Sequence, residues 1–113
     1  MDELTKNERL GDLYAYYGPL LTKAQQDYFE DYYYNDLSLS EIATNHGVSR
    51  QAVYDNTKRT AKILEDYEAK LHFKRDLTHL DQLSHETEQL LTQDKKTAAV
   101  TKLHEMQKII RGE

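Results

Sequence analysis

Residues 38–58 read SLSEIATNHGVSRQAVYDNTK, and the order of caps, glycine and apolar positions in that string commits the chain to two helices meeting at a sharp corner. Ser38 followed by Glu41 is a capping box: the serine hydroxyl accepts from the Glu41 backbone N–H while the Glu41 carboxylate accepts from that of Ser38. Gly47 ends the first helix, because a left-handed C-terminal residue costs glycine no Cβ clash. Ser49 then caps a second helix. Ile42, Ala43, Val48 and Val53 are spaced to meet inside the corner, and Ala43 is small enough for the helices to cross closely. The pattern is that of a helix-turn-helix, whose second helix is the one shaped to enter a DNA major groove.

The rest of the apolar spacing is helical almost throughout, so the expected class is all-α: a multi-helix domain containing the helix-turn-helix, a long following helix and a helical tail. A first helix is expected over 6–17, where Leu10, Leu13, Tyr14 and Tyr17 form one stripe before Gly18 and Pro19. Thr22 and Gln25 form a second capping box, opening a helix to about residue 34 with Ala24, Tyr28, Phe29 and Tyr32 facing the core. The corner's short helix covers about 39–45. The helix after Ser49 carries Val53, Thr57, Ala61, Leu64, Tyr67 and Leu71 on one face to about residue 73, with Thr57 as a polar interruption. Two more follow: one over about 77–91 with Leu80, Leu83 and Leu90, and a last one carrying Ala99, Leu103, Met106 and Ile110. The expected organisation is a helix-turn-helix domain over 1–75 and a C-terminal helical extension over 76–113. The extension's stripes are narrow, near a 3.5-residue spacing. Its helices are expected to fold back as an antiparallel pair; left exposed, they would form a homo-oligomer seam.

Composition narrows the chemistry. The chain has 113 residues and no cysteine, which excludes disulfides, a thiol nucleophile and thiolate metal sites. It lacks an apolar run of about 18 residues and a basic-then-apolar leader, so the expectation is a soluble, cytoplasmic protein that does not insert into membranes. It carries no Gly-rich phosphate loop, no G-x-S-x-G and no H-E-x-x-H. His72 and His79 lie two helical turns apart, too far to share a metal without a bend. The sequence therefore points to a non-enzyme with no cofactor and no metal.

Charge is distributed unevenly. The total formal charge is −5, but residues 1–48 carry −6 and residues 49–75 carry +3. The helix after Gly47 is thus the only basic segment, and it lies where phosphate contacts would be needed. The candidate recognition residues on it are Ser49, Arg50, Gln51, Tyr54, Asp55, Lys58, Arg59 and Lys62. Arginine suits guanine edges and glutamine suits adenine; Tyr54 can stack or contact a sugar; Asp55 can orient Arg59 at i+4. Against this stands a solvated face stitched by i,i+4 ion pairs such as Asp55–Arg59 and Asp66–Lys70. Seven of nine tyrosines fall within residues 14–34, in acidic surroundings that suit core and boundary packing or a protein-facing surface better than nucleic acid.

The runs Leu21-Thr22-Lys23-Ala24-Gln25 through Tyr33, Ser38-Leu39-Ser40-Glu41-Ile42-Ala43, Gly47-Val48-Ser49-Arg50-Gln51-Ala52-Val53-Tyr54-Asp55-Asn56, Lys58-Arg59-Thr60 and residues 62–71 resemble the YlxM family. These are small proteins of Gram-positive bacteria similar to region four of RNA polymerase sigma factors. The resemblance covers about residues 6–73. It implies a helix-turn-helix fold and a regulatory part in the signal recognition particle pathway, a role inferred from a gene neighbouring that of the particle's GTPase. It also implies recognition positions at Ser49, Arg50, Gln51, Tyr54, Asp55 and Lys58. The chain departs from the sigma pattern at Thr57, commonly apolar there, and at Tyr54 and Asp55, where arginine is commoner. The expected partners are protein or RNA components of the particle, with double-stranded DNA bound as a transcription regulator as the alternative.

Overall fold

Caps and breakers in the sequence set the element order. Across the described residues, 2–113, the computed structural model contains six α-helices and no strand: α1 (Glu3–Tyr17), α2 (Lys23–Phe29), α3 (Leu39–His46), α4 (Arg50–Leu71), α5 (Phe73–Thr92) and α6 (Lys96–Ile110). The all-α expectation is met. Asp2 caps α1 by accepting from the Thr5 N–H at 2.8 Å, so that helix starts earlier than its apolar stripe. A 3-10 turn, Gly18–Leu20, holds Pro19 and separates it from α2. The Thr22–Gln25 capping box is present. Beyond Phe29 the helix widens into a π turn, Glu30–Tyr34, closed by Asn35 N–H donating to the Glu30 carbonyl. The wider turn lays Tyr33 flat on the Phe29 ring at 4.4 Å and sets Tyr34 edge-on to it at 5.9 Å.

The chain divides into two compact units, the first ending at Leu71 and the second spanning His72–Glu113. In the first unit, one core gathers Leu10, Leu13, Tyr17, Leu21, Phe29 and Leu64. Tyr14 stacks on the other side of Phe29 at 4.4 Å, and its hydroxyl donates to Glu30 at 2.8 Å. Burial and that carboxylate push the Tyr14 phenol well above its ordinary pKa. Most of the clustered tyrosines are therefore core and boundary residues, leaving Tyr16 and Tyr34 the more exposed of them. Arg9 on α1 grips Glu65 on α4 through two bonds of 2.8 Å, a fork-to-fork pair that fixes the helices' relative rotation. The Tyr17 hydroxyl donates to the buried Glu68 carboxylate at 2.6 Å.

The α4 stripe differs from its expected form. Its buried positions are Val53, Thr57, Thr60, Leu64 and Glu68, whereas Leu71 is exposed. The polar interruption at Thr57 is accommodated: its hydroxyl donates to the Tyr54 carbonyl at 2.9 Å, so the buried oxygen is satisfied within the helix. The helix stops at Leu71 instead of about residue 73 because His72 turns left-handed, φ 59°. Ala24, expected inward, lies exposed in the first turn of α2.

In the second unit α5 and α6 lie against each other as an antiparallel pair, crossed by a Lys102–Glu86 ion pair at 3.3 Å. Leu83, Thr87 and Ala99 are its buried residues. Leu103 and Ile110, read as part of the inward stripe, are exposed, because the narrow seam spends its contact on small side chains such as Ala99.

Candidate nucleic-acid interface

The corner is built as its sequence dictates. The Ser38 hydroxyl accepts from Glu41 N–H at 3.1 Å and the Glu41 carboxylate accepts from Ser38 N–H at 3.1 Å. At the other end of α3, Gly47 adopts φ 67°, ψ 34°. Val48 N–H then donates to Ala43 O at 3.0 Å and Gly47 N–H to Thr44 O at 3.4 Å, the paired bonds of a Schellman turn. Ser49 caps α4 by accepting from Ala52 N–H at 3.0 Å. Ile42, Ala43 and Val53 fill the corner with Tyr28, Tyr32, Leu37 and Leu39 around them. Val48, expected inside, is 38% exposed: the residue after the left-handed glycine sits on the rim of the corner. Outside it, His46 Nε2 meets Asp31 Oδ2 at 3.0 Å and the His46 ring stands edge-on to Tyr28, tying the end of α3 to the π turn.

The first turns of α4 carry the candidate residues outward. Arg50, Gln51, Tyr54, Asp55, Lys58, Arg59 and Lys62 are all exposed, while Val53, Thr57 and Thr60 of the same helix are buried. Ser49, also exposed, uses its hydroxyl as the cap. The anticipated Asp55–Arg59 and Asp66–Lys70 pairs do not form. Instead the Gln51 amide donates to Asp55 at 3.0 Å, and Lys62 pairs with Asp66 at 3.1 Å in an exposed bridge that is cheap to break. Arg50 and Arg59 enter no ion pair among the described residues. Lys58 Nζ stands 5.8 Å from the centroid of the Tyr54 ring, within cation–π range. The face thus offers free guanidinium groups and an aromatic ring, while its two amide and carboxylate readers engage each other.

The structure adds residues that sequence reading did not bring to this face. A groove of about 350 Å³ is lined by Tyr54 and Lys58 of α4 together with Glu3, Lys6 and Asn7 of α1. Tyr32, Tyr33, Thr57 and Ala61 complete its lining. Only the tyrosine cluster and the exposed Tyr54 hinted at it in the sequence; α1 reaches the site through tertiary packing. The described residues contain no group of three or more His, Asp or Glu side chains placed to hold a metal. No helix among them is long and apolar enough to cross a membrane.

A helix-turn-helix with a long, outward-facing second helix defines the class. Residues 4–105 match the sequence model of the UPF0122 family, described as "Putative helix-turn-helix protein, YlxM / p13 like", and the chain belongs to that family. It is 66% identical over 70 residues to a UPF0122 protein of Limosilactobacillus reuteri, an alignment spanning 62% of each chain. It is 58% identical over 74 residues to UPF0122 proteins of Lactiplantibacillus plantarum and Streptococcus gordonii, covering 66% of this chain and 64% and 67% of theirs. The aligned part thus spans about three-fifths of the first of these relatives. The family assignment bears out the resemblance read over about residues 6–73.

Proposed function

We propose that this protein is a non-enzymatic regulatory factor that binds the RNA of the signal recognition particle in the cytoplasm through the exposed face of α4. One observation carries the reading: in a chain of net charge −5, the cations Arg50, Lys58, Arg59 and Lys62 stand exposed together on one helix, beside a half-exposed aromatic ring. The setting in the particle rests on what the YlxM resemblance implies. Affinity for a polyanion follows from the charges, because each neutralised phosphate releases condensed counterions. Acidic side chains concentrated before Gly47 repel phosphate elsewhere and so confine nucleic acid to α4.

A second reading, sequence-specific binding to promoter DNA, is favoured by the corner itself, which presents Arg50 and Gln51 in the first turn of the second helix. It is weakened by the Gln51–Asp55 hydrogen bond, which occupies the two side chains best suited to adenine and cytosine edges. Fluorescence anisotropy with the particle's RNA and with random and promoter duplexes separates the readings. The RNA is expected to bind more tightly than either duplex, with a log–log salt slope of about −3 to −4 for four phosphate contacts. Arg50→Ala with Lys58→Ala and Arg59→Ala should weaken it at least about tenfold. Unchanged RNA affinity in that triple variant rejects the proposal; tight, competitor-resistant binding to one promoter duplex moves the case to DNA.

A further inference from the structure

We propose that the groove between α1 and α4 is a pocket for a single unpaired nucleotide of the bound RNA, guanosine above the others. The inference deepens the RNA-binding reading and rests on it. At about 350 Å³ the groove lies near the lower end of the range for small-ligand sites, room for one base and its sugar but not for a strand. Its chemistry is that of a nucleotide site. Tyr54, 44% exposed, lines it with a ring that the flexible Lys58 side chain covers only at 5.8 Å, and Tyr32 and Tyr33, edge to face at 5.0 Å, line it as well. Bases stack on such rings whatever their sequence, since every base has a π-face.

Polar groups on the walls sort the bases and hold the backbone. Lys6 from α1 and Lys58 from α4 both line it, so the phosphate of a bound nucleotide has an ammonium to meet on either helix. Neither lysine enters an ion pair among the described residues. Glu3 accepts hydrogen bonds only, and the guanine edge, with adjacent N1–H and N2–H donors, suits a carboxylate. Asn7 can both donate and accept. A paired, stacked base in a duplex cannot leave its stack to enter a groove, whereas a bulged or looped RNA base can be splayed into one. Tyr54 and Lys58 belong to both the exposed α4 face and the groove, so a backbone held on α4 delivers its next unpaired base there.

The test uses the full chain and two labelled RNA stems, one fully paired and one identical but for a single unpaired guanosine, compared by anisotropy at matched salt. The guanosine stem should bind about tenfold more tightly, a gain within the range of one base–aromatic stack. Tyr54→Leu should abolish that difference and Tyr54→Phe keep it, with unchanged circular dichroism in both. Glu3→Gln should narrow the preference for guanosine over uridine at the unpaired position. Arg59→Ala, outside the groove, should weaken both stems alike. Equal affinity for the two stems, with salt-dependent binding intact, overturns the nucleotide pocket and leaves the RNA-binding proposal standing; absence of binding to either stem removes both.

Discussion

The first unit and the C-terminal pair are made of the same element and held together very differently. In the first, Phe29 is sandwiched between Tyr14 and Tyr33 at 4.4 Å on each side, and α1 is clamped to α4 by the Arg9–Glu65 fork. Its α1, α2, α3 and α4 each start on a side-chain cap: Asp2, Thr22, Ser38 and Ser49. In the second, neither α5 nor α6 has a side-chain cap at its N-terminus, and the buried residues are Leu83, Thr87 and Ala99. Short side chains let two helices approach closely but remove little apolar area from water. The helix that carries the candidate interface is therefore anchored in the better-built unit, as a recognition surface of fixed shape requires.

Truncating a large buried apolar side chain in each unit tests that contrast most severely. Phe29→Ala removes a ring that is fully buried and flanked on both faces, so the cavity cannot collapse; the expected loss is about 3–5 kcal/mol, read from the urea midpoint at unchanged slope. Leu83→Ala should cost less, about 2 kcal/mol, at the low end for leucine truncation. Its seam neighbours Leu80 and Leu90 are only partly buried, so solvent and side chains can relax into the space. Hydrogen exchange should assign the first loss to α1–α4 and the second to α5 and α6. Equal losses at the two sites would break the comparison.

What could be read from sequence follows the same division between local and distant causes. Capping boxes are contained within four residues, so Ser38 with Glu41 and Thr22 with Gln25 form as the string dictates. Gly47 was legible because few other residues accept φ 67° at a helix end. Rim positions were not: Val48, Ala24 and Leu71 satisfy an apolar pattern yet face water, since periodicity gives a side chain's direction but not where the neighbouring helix ends. The π turn was hidden because Tyr32-Tyr33-Tyr34 reads as ordinary helix until Phe29 claims Tyr33. His72 gave only a faint signal, histidine being among the residues enriched at positive φ. Among the site residues, those on α4 could be placed by helical spacing alone. Glu3, Lys6 and Asn7 could not, because they reach Tyr54 across the fold from a part of the chain far away in sequence.

The smallest expected effects lie at two turns of the same shape. α3 and α5 both end in Schellman bonds: Val48 N–H to Ala43 O and Gly47 N–H to Thr44 O in one, Lys95 N–H to Leu90 O and Asp94 N–H to Leu91 O in the other. Glycine holds the left-handed position in the first, whereas Asp94, φ 60°, holds it in the second. At Gly47 an added Cβ would meet nothing within 4 Å, so Gly47→Ala carries no steric clash with neighbours and tests the backbone cost alone, about 1 kcal/mol of lost stability. Asp94→Gly reverses the situation: it relieves the left-handed residue while enlarging the freedom of the unfolded chain, and the net gain should stay below about 1 kcal/mol. Aspartate tolerates this conformation better than alanine does, which makes the gain at residue 94 smaller than the loss at 47. Opposite signs in the two urea midpoints are the expected result. A loss in Asp94→Gly would mean that the Asp94 side chain itself supports the α5–α6 turn, and the second unit would then be better capped than its backbone suggests.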